Sequence, residues 1–371
     1  MSRTNFLKLP PYVVSVLCGC IFTTSGLCPV IKSLSLNQEK RKGLFALSNV
    51  FKYNVSNVNK KTIFGISFVS ATFAVIISLG FFSDYLNKTN RFAAAFFSMG
   101  ISVKELITRY SEAPSNGKIK ILIVPGHESD FGGAEYKNLL ERDLNLALAL
   151  KLKTSLASNQ KFEVIMERDS NGLNKDIENY ILKNEDSILK WVGEKKQDML
   201  SLVGEGKVSL VNVPVYHANA PSRAVVLLYG INKWAGENKI DIILHIHFND
   251  NPKYKGKPNY EGFSIYVPES QYSNSTSSQV LAKDLFSEIS KIKNVSTMPQ
   301  ENGGVIEDQD LIAVGSYNTS DSLSVLVEYA YIYESFMQKE SLRNFFINNA
   351  ASSTANALFN FFNSRVSNIY F

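Results

Sequence analysis

The chain has 371 residues, 45% of them hydrophobic and 12% aromatic, which excludes an intrinsically disordered protein and leaves room for a folded domain plus an anchoring region. Its net charge of +5 is unevenly placed: residues 1–116 carry 13 basic and 4 acidic side chains, residues 117–371 carry 26 and 30. The acidic larger part lacks the electrostatic footprint of a nucleic-acid binder.

The first 82 residues read as a membrane-anchoring region. Thr62 to Phe82 is uncharged, rich in Ile, Phe, Val and Ala, and long enough to cross a bilayer as a helix. Leu9 to Ile31 is also uncharged but is interrupted by Pro10, Pro11, Gly26 and Pro29, so a second span, a signal-like segment and an interfacial segment all fit it. Between them, Lys32 to Lys61 holds seven basic residues and one acidic one. The positive-inside rule makes that connection cytoplasmic and puts everything after Phe82 outside the membrane, in the periplasm or cell wall. Cys18, Cys20 and Cys28 all fall in this region, so the rest of the chain needs no disulfide. Residues 83–117 read as a juxtamembrane linker, helical with an apolar part at Phe92 to Phe97 and ending in the turn-rich Ala113-Pro114-Ser115-Asn116-Gly117.

From Lys118 the pattern alternates between strands and helices. Short β-branched runs stand at Ile119–Val124, Phe162–Met166, Val208–Val213, Ile240–Ile246, Phe263–Val267 and Leu323–Val327. Longer helical patterns separate several of them; in Leu139–Leu156, leucine recurs at 140, 144, 148, 152 and 156. Residues 118–371 are therefore expected to form a single three-layer α/β domain, with a mostly parallel twisted sheet of about six strands flanked by helices. Functional groups in such sheets gather at the carboxyl ends of the strands.

Chemistry-bearing residues stand at those ends. His127 follows Ile119–Val124 through Pro125-Gly126, and Glu128 comes next. Glu141 opens the long helix. His245 and His247 end the strongest strand pattern, where a period of two puts both imidazoles on one face. Glu328 terminates the apolar run Leu323–Val327. Imidazole and carboxylate are the donors that catalytic zinc takes, and two His with one Glu leave a position open for water. A further Glu beside that water can take its proton. Singly, each has a plainer reading: a hydrogen-bonded structural His, a carboxylate facing a helix dipole, a loop cap.

As an ordered set these motifs resemble the zinc-dependent N-acetylmuramoyl-L-alanine amidases. The resemblance runs from about Lys118 to Phe362 through Pro125-Gly126-His127, Gly132-Gly133-Ala134, Glu141-Arg142, Arg168-Asp169, His245-Ile246-His247-Phe248-Asn249, Glu261-Gly262-Phe263 and Val327-Glu328. It implies zinc on His127, Glu141 and His247, Glu328 as the catalytic base, and hydrolysis of the amide between N-acetylmuramic acid and L-alanine of peptidoglycan. It departs from the family at Val124, at Glu128-Ser129 and at His245, where the family has Asp, Gly-Gly and Ser. His245 then orients ligands, touches substrate or competes for the metal, and Asn249, His217 and Glu128 join it as candidates for supporting or substrate contacts. Residues 170–222 are longer than the family's usual connection and read as an insertion that contains a helix at Ile177–Leu202. Both a groove-shaping or lid role and an extra packing layer fit it. By contrast, Asn251–Tyr260 is too short for the inhibitory helix some members carry. Two other readings stand: another zinc peptidase or deacylase on the same fold, and a non-catalytic wall-binding regulator. A protein activator is not legible from the sequence.

Overall fold

The computed structural model describes residues 100–128, 132–212, 215, 220–250 and 260–366. The expected membrane region at 1–82, the linker up to residue 99 and His217 lie outside them. Among the described residues, no helix is long and apolar enough to cross a membrane.

Helix α1 (Val103–Glu112) leads into β1 (Ile119–Pro125), followed by a two-residue hairpin, β2 (Glu135–Tyr136) and β3 (Leu139–Leu140), and by α2 (Glu141–Ala157). Then come β4 (Phe162–Met166), the small hairpin β5 (Arg168–Asp169) and β6 (Gly172–Leu173), the long α3 (Lys175–Gly204) and α4 (Ser222–Glu237). The chain closes with β7 (Ile242–Asn249), β8 (Ser264–Pro268), α5 (Ser275–Ile289), β9 (Val305–Asp308), β10 (Leu323–Tyr331) and α6 (Glu340–Val366). The central sheet has six strands in the order β4-β1-β7-β10-β8-β9. Every neighbouring pair is parallel except β10 with β8. A mostly parallel six-stranded α/β fold is thus what the chain forms.

The three layers follow from strand alternation. Ile121 and Ile123 of β1, Leu244 and Ile246 of β7, and Val325 and Val327 of β10 face one side and pack with α2, α5 and α6. The leucines at 144, 148, 152 and 156 fill that layer. Leu122, Val124 and Ile243 face the other side and pack with Ile177 of α3 and Ile231, Trp234 and Ala235 of α4. Because His245, His247 and Glu328 share the parity of Ile243 and of Leu326 next along each strand, they too project on this second side.

Two departures from expectation have clear causes. Residues 208–212 form no strand; Val211 N–H donates to Gln309 Oε1 (3.0 Å), while Ser209 donates to Gln271 Oε1 (2.8 Å) and accepts from Gln271 Nε2 (3.0 Å). Side-chain amides take the place of a neighbouring strand, which a β-branched pattern cannot reveal. Conversely β9 was not anticipated, because its Val305-Ile306 is followed at once by two carboxylates. Helix α1 falls within the stretch read as linker, yet Leu106, Ile107 and Tyr110 are buried in the main core.

Candidate active site

β1 and β7 are adjacent and parallel, so their carboxyl ends deliver His127 and His247 to the same edge. Gly126 N–H donates to Ile246 O (2.9 Å), which locks the turn before His127 to the ligand-bearing strand. His127 itself has a left-handed backbone, φ +63°. That conformation costs a non-glycine residue about 1–3 kcal/mol and persists only where the surroundings over-determine it. Arg168 supplies part of that determination: its guanidinium donates to the carbonyls of Pro125 (3.1 Å), Gly126 (3.1 Å) and Arg142 (2.9 Å). It thereby ties the His127 turn to the first turn of α2, which carries Glu141.

Glu141 is the centre of the site. One carboxylate oxygen lies 3.1 Å from His127 Nε2 and accepts from Ala134 N–H at 2.8 Å. The other lies 3.0 Å from His247 Nδ1 and accepts from Phe248 N–H at 3.3 Å. Burial alone would raise this carboxyl's pKa; hydrogen bonds and charge from His127 and His247 outweigh it and hold it well below the usual carboxylate range. One turn further along α2, the buried Asn145 donates to Gly126 O (2.9 Å) and Glu141 Oε1 (3.4 Å).

The donor set fits a zinc ion. His127, Glu141 and His247 each offer one atom, and these atoms all lie within 4.8 Å of one another. A tetrahedral ion with bonds of about 2.0–2.2 Å sets its ligands roughly 3.3–3.6 Å apart; the imidazoles lie 3.1 and 3.0 Å from the two Glu141 oxygens, and the three donor atoms fall within 4.8 Å of one another. Two glycines leave space for this convergence. A Cβ on Gly126 would stand 2.1 Å from the His247 ring, and one on Gly133 (φ +71°) 2.4 Å from both Glu141 Oε2 and the His127 ring. The two histidines keep 30% and 17% of their side-chain surface exposed while Glu141 keeps 6%, so solvent reaches the imidazole side of the cluster.

Glu328 stands beside the cluster: its Cα pairs with that of His247 across β7 and β10, and with that of Ser264 across β10 and β8. Its Oε2 is buried without a hydrogen-bond partner, as is Ser264 Oγ. Burial, and then the charges of Glu141 and Glu301, push its pKa well above the ordinary value.

The other expected residues part company with the cluster. His245 pairs in register with Leu326, one pleat deeper. It is 1% exposed, neither ring nitrogen has a partner in hydrogen-bond geometry although the Ala313 backbone is beside it, and burial with the adjacent His247 lowers its pKa to about 3. Asn249 donates to Glu301 Oε1 at 3.0 Å. Glu128 lines a groove of about 630 Å³ between α3 and the start of α4, with Ile181, Leu182, Leu189, Arg223 and Val226. Besides lining this groove, α3 buries Ile177, Ile188, Met199 and Leu202.

Residues 121–360 match the family model described as N-acetylmuramoyl-L-alanine amidase, about two thirds of the chain. The chain belongs to this family. Hydrolysis of the amide joining N-acetylmuramic acid to L-alanine in peptidoglycan is accordingly its activity, in cell-wall chemistry. Solved structures similar to this amidase include an N-acetylmuramoyl-L-alanine amidase from Clostridium difficile 630, with 14% identity over 67% of this chain and 98% of that one, TM-score 0.41. Others are the CwlD amidase of Clostridioides difficile in complex with the GerS lipoprotein (17%, 66% and 98%, TM-score 0.42) and Ami1 of Mycobacterium smegmatis (14%, 67% and 98%, TM-score 0.43). A search of curated proteins finds no match for the amidase.

Proposed function

We propose that this amidase works through one zinc ion held by His127, Glu141 and His247, with Glu328 as the general base, and that it acts outside the cytoplasmic membrane from an anchor within residues 1–82. The observation that carries the first part is the convergence of two imidazoles and a carboxylate within 4.8 Å at an edge open to solvent. When bound there, zinc supplies a Lewis acid for the scissile carbonyl and acidifies water.

The chain's own residues do the rest. Glu141, held by Ala134 and Phe248 N–H groups, keeps both imidazoles turned toward one point. Glu328, one strand away from His247, accepts the proton of the attacking water and delivers it to the nitrogen of the departing L-alanine. Its Oε2, buried without a hydrogen-bond partner, and the burial that raises its pKa make it a strong base for a carboxylate. The groove beside Glu128, walled by the segment at 170–222, is placed to receive substrate. The anchoring part rests on the uncharged Thr62 to Phe82 and the basic stretch before it. Residues 83–117, with α1 packed on the core, would then join the anchor to a catalytic domain at 118–371, and fractionation with protease protection of the full chain tests that arrangement.

Digestion of peptidoglycan by the zinc-loaded chain is expected to release stem peptides with a free L-alanine amino terminus, detected by mass spectrometry. Glu328→Gln is expected to keep about one zinc and lose roughly 10²–10⁴-fold in turnover. Near-normal turnover of that variant would reject Glu328 as the base.

A further inference from the structure

A second carboxylate, outside the zinc cluster, is built into the same end of the sheet. Glu301 is 0% exposed. Four neutral donors hold it: Tyr266 OH (2.5 Å) and Asn249 Nδ2 (3.0 Å) on one oxygen, Ser296 Oγ (2.5 Å) and Tyr331 OH (2.8 Å) on the other. Ser296 Oγ also lies 3.1 Å from Tyr331 OH, which closes the network. A carboxylate sealed from water is costly unless it is fully hydrogen-bonded, and an apolar or amide side chain would fill the space more cheaply. A carboxylate in such a cage calls for a role that packing alone does not supply.

The placement of the donors indicates that role. Asn249 ends β7 two residues after His247. Tyr331 ends β10 three residues after Glu328. The register nonetheless pairs His247 with Glu328 and Asn249 with Tyr331, so β10 carries one extra residue between the two pairs. Such a bulge bends its strand and re-aims the neighbouring side chains. Glu301 grips both sides of it, Asn249 on β7 and Tyr331 on β10. Through Tyr266 it also grips β8, the strand that pairs Glu328 from the other side.

We propose that Glu301 is a positioning residue for the hydrolysis: it clamps the bulge at the ends of β7 and β10 against the middle of β8 and so fixes the carboxylate of Glu328 against His247. The proposal rests on Glu328 being the base. Because Glu301 touches neither a zinc ligand nor the substrate groove, its loss is expected to act on turnover and to leave metal and substrate binding alone.

The test uses the zinc-loaded full chain with purified peptidoglycan fragments, and reads kcat, KM, zinc content and Tm. Glu301→Gln keeps the shape of the cage and removes its charge. It is expected to hold about one zinc, to keep KM within about twofold and to lose roughly 10–100-fold in kcat, the range found when groups that orient active-site residues are removed. Tyr331→Phe, which deletes only the hydroxyl on the bulged strand, is expected to show a smaller loss of the same kind, in kcat alone. Glu328→Gln is measured beside them: if it turns over normally, the assignment of the base fails, whatever Glu301 does. If Glu328→Gln is inactive while Glu301→Gln keeps its kcat within about twofold, the positioning role alone is overturned. It is likewise overturned if the loss appears in KM or follows lost zinc, or if Glu301→Gln fails to fold while Tyr331→Phe is unaffected.

Discussion

His245 and His247 share one strand face, yet only the second reaches Glu141. Strand rise separates them by about 6.6 Å, so a point shared with His127 and Glu141 is available to one of them alone. His245 is buried, and burial opposes the charged form of its ring. We expect His245→Ser to keep bound zinc and measurable activity and His247→Ser to lose both, as read by metal analysis and product formation; zinc released by the first and retained by the second would exchange their roles. Glycine sets a second test. With φ at +71° and no room for a Cβ, Gly133→Ala must displace either Glu141 or His127, so zinc content is expected to fall although no ligand is changed. Full zinc in this variant would show that the loop absorbs the methyl group. The three converging residues were legible in the sequence because each follows a strand or opens a helix, where backbone direction fixes where a side chain goes. The sequence pattern does not mark Asn145, Glu301 and Arg168 as site residues. They act through carbonyls and hydroxyls that come together only in the folded chain, and a polar residue inside a helix or loop pattern carries no sign of such a partner.

Arg168 shows what holds the elements in register. It follows β4 and reaches across β1 to the first turn of α2, where it closes three carbonyls of two segments. Lysine offers a point charge in place of this fork and cannot reproduce it. Arg168→Lys is therefore expected to weaken zinc binding about 10–100-fold, measured by competition with a chelator, with unchanged affinity sinking the idea that this clamp positions His127. Next to it Glu167 is 3% exposed, with one oxygen unpartnered, and burial raises its pKa to about 8 against the opposing pull of Arg168 and with help from Glu128. The folded chain thus binds this proton more tightly than the unfolded one, so stability is full below the unfolded value near 4.5 and falls as pH rises toward 8. At about 1.4 kcal/mol per unit the loss is a few kcal/mol at most. Glu167→Gln is expected to raise the unfolding midpoint at pH 8 and to change it little at pH 5. A variant that is destabilised equally at both would show that no proton is involved. Central strands were readable as apolar runs because both faces are buried. The stretch at 208–212 misleads because its pattern is that of a strand, while its hydrogen-bond partners are side chains and Leu210 and Val211 stay exposed.

Composition sets the domain boundary at the turn-rich Ala113–Gly117, and the helix just before that turn packs into the main core. Leu106, Ile107 and Tyr110 of α1 are 0%, 2% and 4% exposed. The Tyr110 ring stacks on Phe362 of the last helix with centroids 4.4 Å apart, and its hydroxyl bridges Asn159 and Asn363. Arg109 forms a bidentate pair with Asp241, which is 2% exposed and also accepts from Lys120 N–H at 2.8 Å. Helix α1 thus joins the two ends of the described fold and neutralises a buried charge at the start of β7, the strand that carries His247. An amphipathic helix after an uncharged segment reads as a linker in sequence, since nothing local says what its apolar side meets. Burying three such side chains contributes about 1.5–3 kcal/mol each, and removing Arg109 leaves Asp241 buried without its cation. Together these approach the 5–15 kcal/mol that holds a typical domain folded. A chain that starts at residue 118 is therefore expected to have a much lower urea midpoint than one that starts at residue 100, or to fail to fold. Arg109→Ala in the longer chain is expected to fall between them. Equal midpoints for the two starting points would make α1 a dispensable attachment, and would return the boundary to the turn at Ala113–Gly117.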